Sequence, residues 1–109
     1  MSLLTEAIEN QPHWLYLICS GNDDNTYKIG YTSRPVETRL NEIKMEYTVP
    51  NAKLVKQCEV KGESNVLMLE QSLHDEYYEC QDSTYGGCEW FCLEPNELNQ
   101  IKLFYDNNH

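Results

Sequence analysis

The sequence predicts a small α+β domain: a short antiparallel β-sheet flanked by helices, in the order β-β-α-β-α-β-α. Three observations predict it. The chain has 109 residues, 40% of them apolar and 24% charged, which suits one core and leaves no room for two. Its apolar strings alternate between aromatic or β-branched runs and segments that repeat at helical spacing. Clusters of Gly, Asn, Asp and Pro separate these segments.

Residues 1–12 carry Glu6, Glu9 and Pro12 and are expected as a loose turn of helix, inside an N-terminal extension of residues 1–13. Trp14 to Cys19 is aromatic and β-branched enough for a strand. Gly21-Asn22-Asp23-Asp24-Asn25 is a dense turn signal, and Tyr27 to Tyr31 should return as the second strand of a hairpin. Ser33 with Pro35 signals a helix start. Val36, Leu40, Ile43 and Tyr47 repeat at helical spacing, so residues 35–47 read as an amphipathic helix that Val49-Pro50-Asn51 breaks. Lys53 to Val60 alternates as a strand. After the turn at Lys61-Gly62-Glu63, Ser64 is placed to cap a second helix over residues 65–79, with Val66, Leu69, Leu73 and Tyr77 on one side. Tyr85-Gly86-Gly87 is a loop, Cys88 to Leu93 a strand, and Pro95 opens a last helix with Leu98, Ile101 and Phe104 on one side. The single domain is bounded at residues 14–104, with a tail at 105–109.

Eight basic residues face eighteen acidic ones, for a formal charge of −10. That excludes a uniformly basic nucleic-acid binder. The absence of long apolar runs excludes a helical membrane-spanning chain. Seven of the eight basic residues fall between Lys28 and Lys61, against four acids. One part of the surface could therefore accept a phosphate backbone, or the segment is an ordinary solvated helix face. Five cysteines, an odd number, and no signal-peptide pattern point to free thiols in the cytoplasm. Cys80, Cys88 and Cys92 with His74 could be offered as a zinc site, but their spacing matches no common zinc module. Cys19 and Cys92 read more simply as small apolar strand residues.

On a helical wheel, Val66, Leu73, His74 and Tyr77 all lie within about 60° of Glu70. Glu70 thus falls inside an apolar stripe, where a carboxylate must be hydrogen-bonded, paired or bound to a cation. A stripe edge reaching water, or a pair with His74, would also satisfy it. Arg39 borders the stripe of the first helix, where it could pair with Glu70 or point at a phosphate.

Together these residues resemble the GIY-YIG endonuclease superfamily. Trp14-Leu15-Tyr16, a polar turn and Lys28-Ile29-Gly30 resemble its paired motifs. Arg39 and Glu70 match its catalytic arginine and its metal-binding glutamate. Lys28-Ile29-Gly30-Tyr31-Thr32, Leu69-Glu70-Gln71-Ser72-Leu73-His74 and Glu89-Trp90-Phe91 look most like its bacteriophage-associated branch. The resemblance spans roughly residues 14–104 and rests on five weak motifs in the right order.

It implies metal-dependent hydrolysis of a DNA phosphodiester. Tyr16 would act as base or orient the attacking water, its phenol pulled down by Lys28. Arg39 would stabilise charge on the phosphate. Glu70 would hold one Mg²⁺ (or Mn²⁺) ion, with zinc not expected. The shared helix face adds His74, as a group orienting Glu70 or a metal-bound water. Gly30, Thr32 and Lys44 are expected at the substrate. No membrane contact is expected, and a protein partner or a second copy could supply DNA affinity. Trp14 stands where the superfamily usually has glycine, Leu15 where isoleucine is usual, and Lys28 where tyrosine is common. Ile43 stands where histidine or tyrosine is common. These departures and the acidity leave an alternative open: a weak or inactive GIY-YIG-like module acting as an acidic protein-interaction domain.

Overall fold

The structure, a computed structural model, describes residues 11–108. Two strands, β1 (Pro12–Cys19) and β2 (Thr26–Thr32), form the hairpin. Helix α1 (Val36–Glu46), strand β3 (Lys53–Lys61) and helix α2 (Glu63–Glu76) follow, then a 3₁₀ turn over Tyr78–Cys80. Strand β4 (Trp90–Cys92) and helix α3 (Pro95–Asn107) complete the chain. The four strands form one antiparallel sheet in the order β3-β1-β2-β4. The predicted class and element order are those observed. Most of the turn of helix expected over residues 1–12 lies outside the described residues; Pro12 belongs to β1.

Strand β1 is central and covered on both faces, which explains its unbroken apolar run. Leu15 and Leu17 face α2 and α3 and pack with Ile29, Val66, Leu73, Phe91, Ile101 and Tyr105. Tyr16 and Ile18 face the other way and pack with Val36, Ile43, Val49, Ala52 and Trp90. The hairpin turn is closed by Asp23, whose Oδ1 accepts the N–H groups of Asn25 and Thr26 at 2.9 and 2.7 Å. Tyr105, placed by sequence in a tail, is buried and donates its hydroxyl to the Tyr16 carbonyl at 2.7 Å.

Helix ends depart from expectation in instructive ways. Neither Ser33 nor Ser64 caps a helix. Pro35 and Gly62 occupy the two N-cap positions, without a side-chain cap. Gly62 has φ +91°, a left-handed turn open to glycine, so the chain enters α2 two residues before the expected Asn65. The end of α1 is set by Thr48 rather than by Val49-Pro50-Asn51. Thr48 has φ +55°, and the Val49 N–H donates back to the Lys44 carbonyl at 3.0 Å. This is a Schellman closure with threonine where glycine is usual. Helix α2 stops at Glu76, three residues early, and tightens into the 3₁₀ turn. The last strand shrinks to Trp90–Cys92. Only α3 starts as its sequence says, with Pro95 in the first turn and a reciprocal capping box between Glu94 and Glu97. No helix among the described residues is long and apolar enough to cross a membrane.

Candidate active site

The β1–β2 register places Tyr16 opposite Gly30 and Ile18 opposite Lys28. Successive strand residues alternate faces, so Tyr16, Lys28 and Gly30 share the α1 side of the sheet. The tyrosine ring lies across Gly30. A Cβ there would stand 2.5 Å from the Tyr16 hydroxyl and 2.7 Å from its Cζ. Glycine is therefore required by the close approach of the phenol.

Lys28 is 0% exposed. A buried ammonium must be paired, and its Nζ forms an ion pair with Glu89 Oε2. The rings of Tyr16 and Tyr47 flank the same nitrogen, with centroids 5.8 and 5.6 Å away. Glu89 precedes β4, and its carbonyl accepts the Ile29 N–H at 3.0 Å, which fixes its backbone beside β2. Sequence reasoning did not place Glu89 in the site. It sits in the Glu89-Trp90-Phe91 string, but nothing periodic marks it. Trp90 follows, fully buried between Tyr47 and Tyr85, and its Nε1–H has no partner among the described residues.

Lys28 was expected to lower the Tyr16 phenol. Instead the phenol is pushed up to about 12. Burial is the chief cause and the Glu89 carboxylate adds to it, while the Arg39 guanidinium beside the hydroxyl pulls the other way. With its ammonium engaged by Glu89, Lys28 leaves Arg39 as the cation acting on the phenol. Arg39 does not pair with Glu70. Its guanidinium meets Glu42 at 3.2 Å and Glu46 at 3.0 Å, both on its own helix. Arg34, just past β2, makes a two-pronged bridge to Glu42, both bonds at 2.7 Å.

Glu70 is 4% exposed, as its place in the apolar stripe requires. Its carboxyl is held above the usual range, first by burial and then by the charge of Glu89. His74 and Lys28 pull it down. His74 itself is tied to the sheet, its Nε2 meeting the Ile29 carbonyl at 2.9 Å. The ring thus satisfies the edge of β2 with one nitrogen and stands beside Glu70.

On the α1 side of the sheet Tyr16, Lys28 and Arg39 are neighbours, with Gly30 beneath the phenol, while Glu70 and His74 come from α2, where the charges of Lys28 and Glu89 reach Glu70. Two expected residues fall elsewhere in role or place. Thr32 is buried, and its hydroxyl accepts the Arg34 N–H at 3.1 Å. Lys44 stands about 140° from Arg39 around α1, on a different face. Ile43, between them, is fully buried in the core. The cysteines are dispersed in function: Cys80 donates its thiol to Glu97 at 2.9 Å, while Cys88 and Cys92 are exposed.

A hard cation here would rest on Glu70 and on its own waters, because the Glu89 carboxylate is already paired with Lys28. Glu70 and Glu89 are the carboxylates of the cluster, and no trio of His, Cys, Asp or Glu among the described residues could cage a metal. Mg²⁺ is commonly taken through one or two carboxylates with water completing its shell. A cation at Glu70 would also compensate the buried charge that now raises its pKa.

The fold is a small α+β domain on a four-stranded antiparallel sheet, with a buried lysine held by a glutamate and two tyrosine rings. The chain belongs to the T5orf172 domain family, whose model matches residues 13–105. This is a phage-associated domain linked to nuclease-type modules. No curated protein and no solved structure matches the chain.

Proposed function

We propose that the chain is a divalent-metal-dependent DNA endonuclease with a GIY-YIG-type site. The observation that carries this reading is Glu70: a carboxylate buried in an apolar stripe, on which the charges of Glu89, His74 and Lys28 act. Burying an acid costs stability unless it is paired or bound to a cation, which supports a functional role for Glu70.

In this reading Arg39 binds the scissile phosphate and stabilises the charge that grows on it. Tyr16, with its proton held to about pH 12, is neutral at physiological pH and orients the attacking water through its hydroxyl rather than acting as a phenolate. Lys28, locked by Glu89, sets the position of the Tyr16 ring. Glu70 would hold Mg²⁺ or Mn²⁺, with Glu89 beside it, and the ion would neutralise charge on the leaving-group side. His74 positions Glu70 from the edge of β2. Gly30 leaves room for the phenol at the floor of the site. The net charge of −10 opposes DNA affinity, so a partner protein or a second copy supplies part of it.

The second reading, an inactive module that binds a protein partner through its acidic surface, is favoured by two observations. Tyr16 is only 1% exposed, and Ile43 fills the core where a proton carrier would stand. Cleavage of plasmid and branched DNA at low salt, with Mg²⁺ or Mn²⁺ and with EDTA, separates the two. Metal-dependent cutting abolished by Glu70→Ala and Arg39→Ala supports the nuclease. Absence of cutting on every substrate supports the interaction module.

A further inference from the structure

Arg34 was not among the expected site residues, yet it is joined to the site through Glu42. Both guanidinium nitrogens of Arg34 grip this carboxylate, NH1 on Oε2 and NH2 on Oε1. Arg39 reaches the same Oε1 from the side of Tyr16. Two guanidinium groups thus converge on one planar anion. A phosphodiester presents the same single charge on two unesterified oxygens, and paired Arg bonds suit it equally well.

The carboxylate that fills this position is partly open to solvent. The Arg34 side chain is 53% exposed and that of Glu42 36%, so water and salt screen the pair and a phosphate can compete for the two guanidinium groups. The backbone under Arg34 is fixed, since its N–H donates to the buried Thr32 hydroxyl at the end of β2. The same strand carries Lys28 and Gly30. The position is therefore continuous with the site and open to solvent.

We propose that Arg34 and Arg39 form a two-guanidinium seat for a phosphate of the DNA strand, occupied in the free protein by the Glu42 carboxylate. The proposal rests on the nuclease reading above and adds a substrate-binding residue to it. It also gives the acidic face of α1 a task. Glu42 and Glu46 hold Arg39 over the Tyr16 hydroxyl until a phosphate replaces them.

The test is binding of a fluorescein-labelled DNA duplex in EDTA across a salt series, so that cleavage plays no part. Arg34→Ala should weaken binding about tenfold at low salt and lower the salt slope by about one. Arg34→Lys should keep the slope while losing part of the affinity, because the charge remains and the fork is gone. Glu42→Gln should tighten binding a few-fold by emptying the seat. Both positions are solvent-accessible, and unchanged melting temperatures would show that folding is intact. If Arg34→Ala binds with the wild-type slope while the wild type cleaves DNA, the seat is wrong and the nuclease stands. If binding depends on Arg34 but no metal supports cleavage, the seat stands and the hydrolase is wrong. A wild-type protein that binds no DNA overturns both.

Discussion

Replacing Glu89 by glutamine should destabilise the protein far more than replacing its partner Lys28. The lysine side chain is 0% exposed and that of Glu89 36%. Glu89→Gln keeps the size and an acceptor oxygen but strands an ammonium in the interior. Breaking a fully buried pair by removing one partner costs roughly 3–5 kcal/mol. Here the half-open carboxylate is partly screened, and the two flanking rings retain some cation–π attraction. We therefore expect a loss of about 2–3 kcal/mol. Lys28→Met leaves Glu89 able to turn to water and should cost about 1 kcal/mol or less. The double variant should be more stable than Glu89→Gln alone, with a coupling of about 2 kcal/mol. Urea unfolding followed by tryptophan fluorescence measures all three, since Trp90 packs in the same core layer as Tyr16. Equal costs for the two single variants, or strict additivity in the double, would refute the buried-cation account.

Three further outcomes are expected. Thr48→Gly should stabilise the protein by about 1 kcal/mol in thermal unfolding, because it relieves a β-branched residue at φ +55°. Gly30→Ala should cost about 1–3 kcal/mol by driving a methyl group into the Tyr16 hydroxyl, and should reduce any cleavage activity through displacement of that phenol. Carboxyl NMR should show Glu42 titrating near pH 2, held down first by its hydrogen bonds from Arg34. Its folded value lies below the ordinary 4.5, so its contribution to stability is present above 4.5 and is lost as pH falls toward about 2. In Arg34→Ala the titration should move up toward the ordinary value.

The element order was legible because each segment carries one clean period. Val36-Leu40-Ile43 reads as a helix and Trp14 to Cys19 as a covered strand with no help from tertiary structure. The boundaries were less legible, since they turn on backbone geometry. A left-handed Thr48 ends α1, and a left-handed Gly62 starts α2 early. Glu70 was legible because it violates its own stripe. Glu89 was not, because nothing in its short expected strand singles it out and its partner is 61 residues away in sequence. His74 was correctly placed on the Glu70 face, but its hydrogen bond to the Ile29 carbonyl is to backbone, which leaves no mark on side-chain pattern. The bridge from Arg34 to Glu42 spans eight residues and crosses from a loop onto a helix, so no helical spacing rule anticipates it.

The central claim is that Tyr16, Arg39 and Glu70 form one metal-dependent hydrolytic site. Its most direct test is DNA cleavage by the wild type, Tyr16→Phe, Arg39→Ala and Glu70→Gln, each with Mg²⁺ and with EDTA. The account predicts cutting that requires metal and is lost in all three variants while their far-UV circular dichroism and DNA binding in EDTA persist, Arg39→Ala binding more weakly. Cleavage by Glu70→Gln at the wild-type rate would contradict it.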